Sequence, residues 1–236
     1  MSLAEACRAL LGARPGLRPL PLAPALVRRD GTFRDAPVEL AAEAWTGGGV
    51  AYARVVTIAG PELSIVNVLG VPDAGQRAPG TILGIDLVSV AGAPTVVVAD
   101  LSPLEPARAS PAVAGEQATV LRARGPFPPA GALPGWCGRW FSPHHLFTRV
   151  PAGDAARAAA AAIDFAGLWL ETTPATGDAA APQLPPAAAA YCDDHRQQDP
   201  GLRLLDRLFD PDWAEAFRAR VLFPSRLPTS TIKDPP

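Results

Sequence analysis

Between Gly49 and Leu101 short apolar runs alternate with tight turns. The runs Gly49–Ile58, Leu63–Val71, Thr81–Val90 and Thr95–Leu101 are rich in β-branched residues. They are separated by Gly60-Pro61-Glu62, by Pro72–Gly80 and by Ala91-Gly-Ala-Pro94. Strand-length runs joined by such short links predict an antiparallel meander, since a parallel crossover needs a dozen residues or more. Several of these runs are apolar on both faces, so the sheet needs a covering layer on each side. Trp140–Val150 predicts another strand.

Helical patterns flank this sheet. Met1–Gly12 reads as a short helix with Ser2 as N-cap. Asp154 is placed to cap a long Ala-rich helix running to Glu171, with Ile163, Leu168 and Trp169 turned inward. Three more helices are predicted over Ala187–Gln198, Pro200–Phe209 and Pro211–Arg220. Asp199-Pro200 and Asp210-Pro211 both have the form of an N-cap followed by proline at the first helical position. The remaining stretches lack periodicity. Residues 13–48 are rich in Pro and Arg and predict an irregular wrap, with a turn at Asp30-Gly31. Trp45–Gly49 reads as a loop, 102–135 as irregular with one short helix, and 172–186 as a low-complexity loop. Val221–Pro224 closes the packed chain and 225–236 is a loose tail, all within a single domain spanning 1–236.

One carboxylate breaks the apolar pattern. Asp86 lies in the middle of Thr81–Val90, on the face shared by Ile82, Gly84 and Val88. An ionised carboxylate without a partner is so unfavourable in such a place that it pairs, takes up a proton or lines a cavity. Asn67 sits in the same way on Leu63–Val71, between Ile65 and Leu69. If these strands are neighbours, Asn67 and Asp86 face one cavity, and Gly84 leaves room for a flat ligand to approach the backbone. The alternative is a pair of hydrogen-bonded core residues. Asp100, just before Ser102-Pro103, reads as a turn former.

Composition narrows the function classes. The chain has 236 residues, is 48% hydrophobic and 19% charged, and carries a net charge of −2. Nothing in that balance calls for nucleic acid. Lys233 is the only lysine, so any anion site must use arginine. Cys7, Cys137 and Cys192 are odd in number and far apart, which is no disulfide framework. The absence of a long apolar span or a leader pattern predicts a cytoplasmic protein with no membrane contact. His144-His145 and Cys192…His195 lack the spacing of a metal site, so no metal is expected. No Gly-x-Ser-x-Gly or Gly-x-Gly-x-x-Gly signature is present.

Three groups of residues together resemble the ferredoxin-dependent bilin reductases. The first is Asn67–Pro72, Pro79…Gly84-Ile-Asp-Leu-Val88 and Val98-Ala-Asp-Leu-Ser-Pro103. The second is Leu133-Pro-Gly-Trp…Phe141-Ser…Leu146-Phe-Thr-Arg149. The third runs from Tyr191-Cys through Arg196-Gln-Gln-Asp-Pro200 to Phe209-Asp-Pro-Asp-Trp-Ala-Glu-Ala-Phe217 and Val221-Leu-Phe223. The resemblance implies an α+β fold, a three-layer α/β/α sandwich with a central, mainly antiparallel sheet. It implies that biliverdin IXα or a dihydrobiliverdin binds between the sheet and the C-terminal helices. No cofactor is held by the chain, and electrons arrive singly from a reduced [2Fe-2S] ferredoxin, through bilin radicals. A heme oxygenase or a bilin-accepting protein is a further expected partner.

By the same resemblance Asp86, Asp199 and Asn67 are the catalytic residues. Gly84, Ser102 and Phe141 are expected to contact the substrate. The two propionates of such a bilin need cations, for which Arg54 and Arg149 are candidates and Arg196 an outer option. Phycocyanobilin-forming members carry His where this chain has Asn67, and a Glu in the preceding strand where it has Val55-Val-Thr-Ile58. That favours 15,16-dihydrobiliverdin or phycoerythrobilin as product. The alternatives are a bilin carrier on the same fold, a phycocyanobilin-forming enzyme or a chlorophyll-catabolite reductase. The C-terminal arginines Arg196, Arg203, Arg207, Arg218 and Arg220 are candidates for a ferredoxin docking patch.

Overall fold

In a computed structural model, described for residues 1–75, 80–91, 93–106, 109–175 and 182–227, the chain builds an eight-stranded antiparallel sheet. The strands are β1 (Leu17–Pro19), β2 (Arg28–Phe33), β3 (Ala36–Gly47), β4 (Val50–Ala59), β5 (Leu63–Pro72), β6 (Thr81–Val90), β7 (Thr95–Pro103) and β8 (Leu146–Val150). From β2 to β8 every strand pairs with its sequence neighbours, and β1 pairs with the far end of β3. The expected meander is therefore present and extends further toward the N-terminus than the sequence pattern indicated.

That extension corrects the irregular wrap expected for residues 13–48. Strands β2 and β3 form a hairpin in which Phe33 faces Ala36. Its turn is Arg34-Asp35, both with positive φ (50° and 66°). Such turns normally announce themselves by Asn-Gly or Asp-Gly, whereas here Asp30-Gly31 lies inside β2. The edge strand is polar and mostly exposed, which hides its period and also protects the edge. Of the loop expected at Trp45–Gly49, Trp45 to Gly47 belong to β3 and the chain turns at Gly47, Gly48 and Gly49, all with positive φ.

Among the described residues six α-helices cover the sheet: α1 (Leu3–Ala13), α2 (Pro111–Arg124), α3 (Ala155–Thr172), α4 (Pro186–Gln198), α5 (Arg203–Leu208) and α6 (Pro211–Phe217). On one face α1 and α3 bury Val55, Val66, Val68, Leu83, Ile85 and Val97. On the other, α4 to α6 and a π-turn at Arg218–Leu222 pack against Leu40, Tyr52, Val56, Ile58 and Leu69. The period of two thus serves both layers, and the three-layer α+β sandwich is the observed fold.

Several boundaries moved. Helix α2 is longer than expected because its apolar and polar residues are spread round it, leaving no face to read. Strand β8 starts at Leu146 rather than Trp140, since Gly135–Arg139 winds into a 3-10 turn and Ser142 is drawn to Asp100. Asp154 makes no cap bond to α3; its carboxylate pairs with Arg157 at 3.6 Å. Asp210 and Asp199 do cap, accepting from the backbone N–H of Trp213 (3.0 Å) and Gly201 (2.8 Å). The tail from 228 onward, loop residues 76–79 and the central part of the 172–186 loop (176–181) lie outside the described residues.

Helix α3 lays the Trp169 ring against the sheet backbone at Gly70. A Cβ there would lie 2.6–2.8 Å from three ring carbons of Trp169. The indole is pinned by Nε1 donating to the Thr81 carbonyl at 2.8 Å and is fully buried. The ring therefore cannot yield without losing that bond. Gly70→Ala is expected to destabilise the protein by about 1–3 kcal/mol, read as a lower denaturant midpoint with an unchanged slope.

Candidate active site

Register brings the unusual polar residues of five strands onto one face. Asn67 pairs with Asp86 across β5 and β6, and Gly84 pairs with Asp100 across β6 and β7. On β4 the residues of that face are Arg54, Val56 and Ile58, opposite Leu69, Asn67 and Ile65. On β8 Phe147 and Arg149 continue the row. The expectation that Asn67 and Asp86 face one cavity holds: both line it.

The cavity lies between this face and the C-terminal helices and has two lobes. The first, of about 310 Å³, runs past Val56, Ile58 and Val88 to Arg203 and Arg207. The second, of about 410 Å³, runs past Gly84 and Asp100 to Trp136, Phe141, Arg149, Tyr191 and His195. Asn67, Asp86, Asp199, Pro200, Gly201 and Phe223 border both lobes. The two candidate acids therefore stand where the lobes meet. Their walls are mostly apolar with a few convergent polar groups, as in small-molecule sites of this size.

Asp86 is part-buried and accepts from Asn67 Nδ2 at 3.2 Å. Burial pushes its carboxyl up to about 7; the bond from Asn67 opposes the shift, Asp199 adds to it and Arg54 opposes it. Asp199 is also held up by burial, against the N–H bond from Gly201. A carboxyl poised near neutrality at a cavity wall holds a proton and can give it up, which is what general acid chemistry requires.

The other expected site residues divide. Gly84 and Phe141 line the second lobe, and Arg149 lies exposed at its edge. A Cβ at Gly84 would come within 3.3 Å of the Tyr191 hydroxyl, so the glycine keeps that wall open. Arg54 borders the cavity but is fully buried, and its donors go to the Leu222 carbonyl (2.8 Å) and to Asn67 (2.6 Å), so it is not held out as a propionate clamp. Ser102 does not line either lobe; it is buried and donates to Asp100 at 2.6 Å. Arg196 does not line them either, being tied to Asp193 and to the Phe223 carbonyl.

Sequence reasoning missed part of the site. Asp100 is no turn former: it is buried in β7 and accepts from Ser102, Gln117 and Ser142. Its position opposite Gly84 was the available signal. His195 stacks on Tyr191 with ring centroids 3.9 Å apart, and Nδ1 lies 2.8–2.9 Å from a backbone carbonyl both in His195 and in His145. Burial pulls the His195 imidazole down to about 4, so it is neutral at physiological pH. Among the described residues no group of three or more His, Cys, Asp or Glu is placed to hold a metal ion. No helix among them is long and apolar enough to cross a membrane.

Comparison with known proteins agrees with this architecture. A phytochromobilin synthase from tomato, solved in complex with biliverdin, superposes with a TM-score of 0.77 over 95% of this chain and 83% of its own, at 19% identity. The phycocyanobilin:ferredoxin oxidoreductase of Trichodesmium erythraeum is 31% identical over 181 residues, 74% of this chain and 71% of its own. That of Gloeobacter violaceus is 29% identical over 176 residues, 73% and 68% of the two chains. The family model described as ferredoxin-dependent bilin reductase matches residues 4–224. Sheet, helices and cavity all fall within that match, and the chain belongs to the ferredoxin-dependent bilin reductases, oxidoreductases that act with ferredoxin.

Proposed function

We propose that the chain reduces biliverdin IXα to 15,16-dihydrobiliverdin or phycoerythrobilin. Electrons come one at a time from a reduced [2Fe-2S] ferredoxin, and protons come from the chain's own acids. The observation that carries this reading is the hydrogen-bonded Asn67–Asp86 pair at the meeting of two apolar lobes, bordered also by Asp199. The biliverdin bound by the tomato relative supports the substrate. So does the cavity, whose lobes together suit an open-chain tetrapyrrole.

Each double bond reduced takes two electrons and two protons. An electron added to the conjugated bilin raises its basicity, and a carboxyl near neutrality then becomes a competent donor. The radical so formed accepts the second electron and a second proton. Asp86 is assigned the first donation and Asp199 a later one. The propionates are assigned to Arg149 at one lobe and to Arg203 and Arg207 at the other, since these are exposed arginines lining the cavity. Arg203 and Arg207 stand one turn apart on α5, so they point the same way.

A phycocyanobilin product is the second reading, favoured by the names of the sequence relatives. Against it, β4 turns Tyr52, Arg54, Val56 and Ile58 to this face, with no acid for a vinyl reduction, and by the resemblance Asn67 stands where those members carry His. Anaerobic turnover of biliverdin with ferredoxin, followed by absorption and chromatography, separates the two. A phycocyanobilin spectrum would exclude our assignment.

Donation requires protonated Asp86, so turnover is expected to fall as pH rises through about 7. Asp86→Asn should still shift the biliverdin spectrum on binding, lose roughly 100-fold or more of the turnover, and lose that limb of the pH profile. Wild-type turnover in Asp86→Asn would remove Asp86 from the role.

A further inference from the structure

Arg54 brings a buried charge to the edge of the cavity. It is fully buried on β4, 5.6 Å over the ring of Phe223, with Nε donating to the Leu222 carbonyl at 2.8 Å. Nη1 donates to both oxygens of Asn67, the backbone carbonyl at 3.2 Å and Oδ1 at 2.6 Å. The two ends of a primary amide are nearly identical in shape, so their placement follows from their partners. A guanidinium has donors only. The Asn67 atom facing it must therefore be the oxygen, which turns the amide nitrogen to Asp86, where it donates to Oδ1 at 3.2 Å. An oxygen that receives an N–H bond stays an acceptor in both protonation states of the carboxyl. The proton of Asp86 is left on Oδ2.

We propose that Arg54 is a positioning residue for proton delivery: by locking the Asn67 amide it confines the acidic proton of Asp86 to Oδ2, the oxygen free to serve a bound bilin. Without Arg54 the amide can turn over. Its oxygen would then accept the proton of Asp86 and hold it back from transfer. The role in delivery rests on the functional reading above; the orientation of the amide does not.

The groups around Asp86 set the sign of the effect. Arg54 faces it from β4 and favours the carboxylate, while Asp199, at the end of α4, favours the acid. Tyr191 and His195 from α4, Asp100 from β7 and Arg149 from β8 line the adjoining lobe, and Arg203 and Arg207 from α5 the other. Losing Arg54 removes an opposing cation and allows the flipped amide to stabilise the acid. Both changes raise the midpoint of Asp86.

Asn67 is the only asparagine of the chain, so selective ¹⁵N-asparagine labelling gives a single side-chain NH₂ pair. In the bilin-free wild type that pair is expected to shift with pH, with the midpoint of Asp86 near 7, and to stop doing so in Asp86→Asn. A flat NH₂ signal across about two pH units either side of the midpoint, while the Asp86 carbonyl band in the infrared titrates, would overturn the lock. In turnover, Arg54→Met is expected to lose about ten- to a hundredfold and to move the alkaline limb upward, with KM for biliverdin held within about twofold. Arg54→Lys should recover part of the loss, because an ammonium is also donor-only. In an Asn67→Leu background Arg54→Met should add little; additive losses would overturn the proposal. The labelled wild type decides the orientation even if Arg54→Met does not fold. A titrating amide in a chain that turns over no biliverdin would overturn the delivery role together with the reading it rests on, and leave the lock standing.

Discussion

A carboxyl group desolvated in the middle of a β-sheet must be stabilised or neutral, and the site depends on how that demand is met at Asp86. Its strand gives it no charged neighbour in register: Asn67 stands on one side and Val98 on the other. Arg54, a buried cation nearby, is separated from it by the Asn67 side chain. A direct Arg–Asp pair would have made a low-pKa anion, inert as an acid. Interposing a neutral amide transmits orientation while weakening the charge effect, and burial is left to raise the carboxyl to about 7. Chemistry therefore follows from which residue stands between two charges.

The sheet keeps its two faces for different ends. On the α1–α3 side glycine serves packing, since Gly70 admits the Trp169 ring against the backbone. On the cavity side Gly84 instead makes room for the Tyr191 hydroxyl, which a Cβ there would meet at 3.3 Å, and lines the second lobe. Closely packed interiors transmit small displacements, so a well-filled layer behind the sheet holds the strands that carry Asn67 and Asp86 in register. The C-terminal segment closes the cavity from the other side. Tyr52 and Arg54 of β4 donate to the Val221 and Leu222 carbonyls at 2.7 and 2.8 Å, tying the π-turn to the sheet.

What the sequence made legible follows from periodicity. The period of two placed Asn67, Asp86 and Gly84 on one face without any contact being known, and the Asp-Pro pairs marked two real caps. Residues outside that logic were misread. The β2–β3 hairpin has a polar edge and a turn built from Arg34-Asp35, so neither strand nor turn carries its usual sign. The Ser102-Pro103 that follows Asp100 suggests a turn, whereas the residue is held in β7 by Ser102 and by Gln117 and Ser142, both distant in sequence. Arg54 and Arg196 were both read as propionate ligands from charge alone. Charge does not say whether a donor is already engaged, and both are tied to backbone carbonyls.

Asp100 and Asp86 show how one residue type takes two parts on adjacent strands. Burial raises both carboxyls. Asp100, however, accepts two hydroxyls, an amide and a backbone N–H, at 2.5–3.2 Å. So many donors saturate both oxygens and leave neither free to meet a ligand. Its network instead ties β7 to α2 through Gln117 and to the turn at Ser142, next to Phe141 on the cavity wall. Asp86 receives one donor on one oxygen, and the other stays open at the cavity. The difference between a structural carboxylate and a proton donor lies here in the number of donors that the fold brings to each, so the acid that reacts is the one the protein leaves half satisfied.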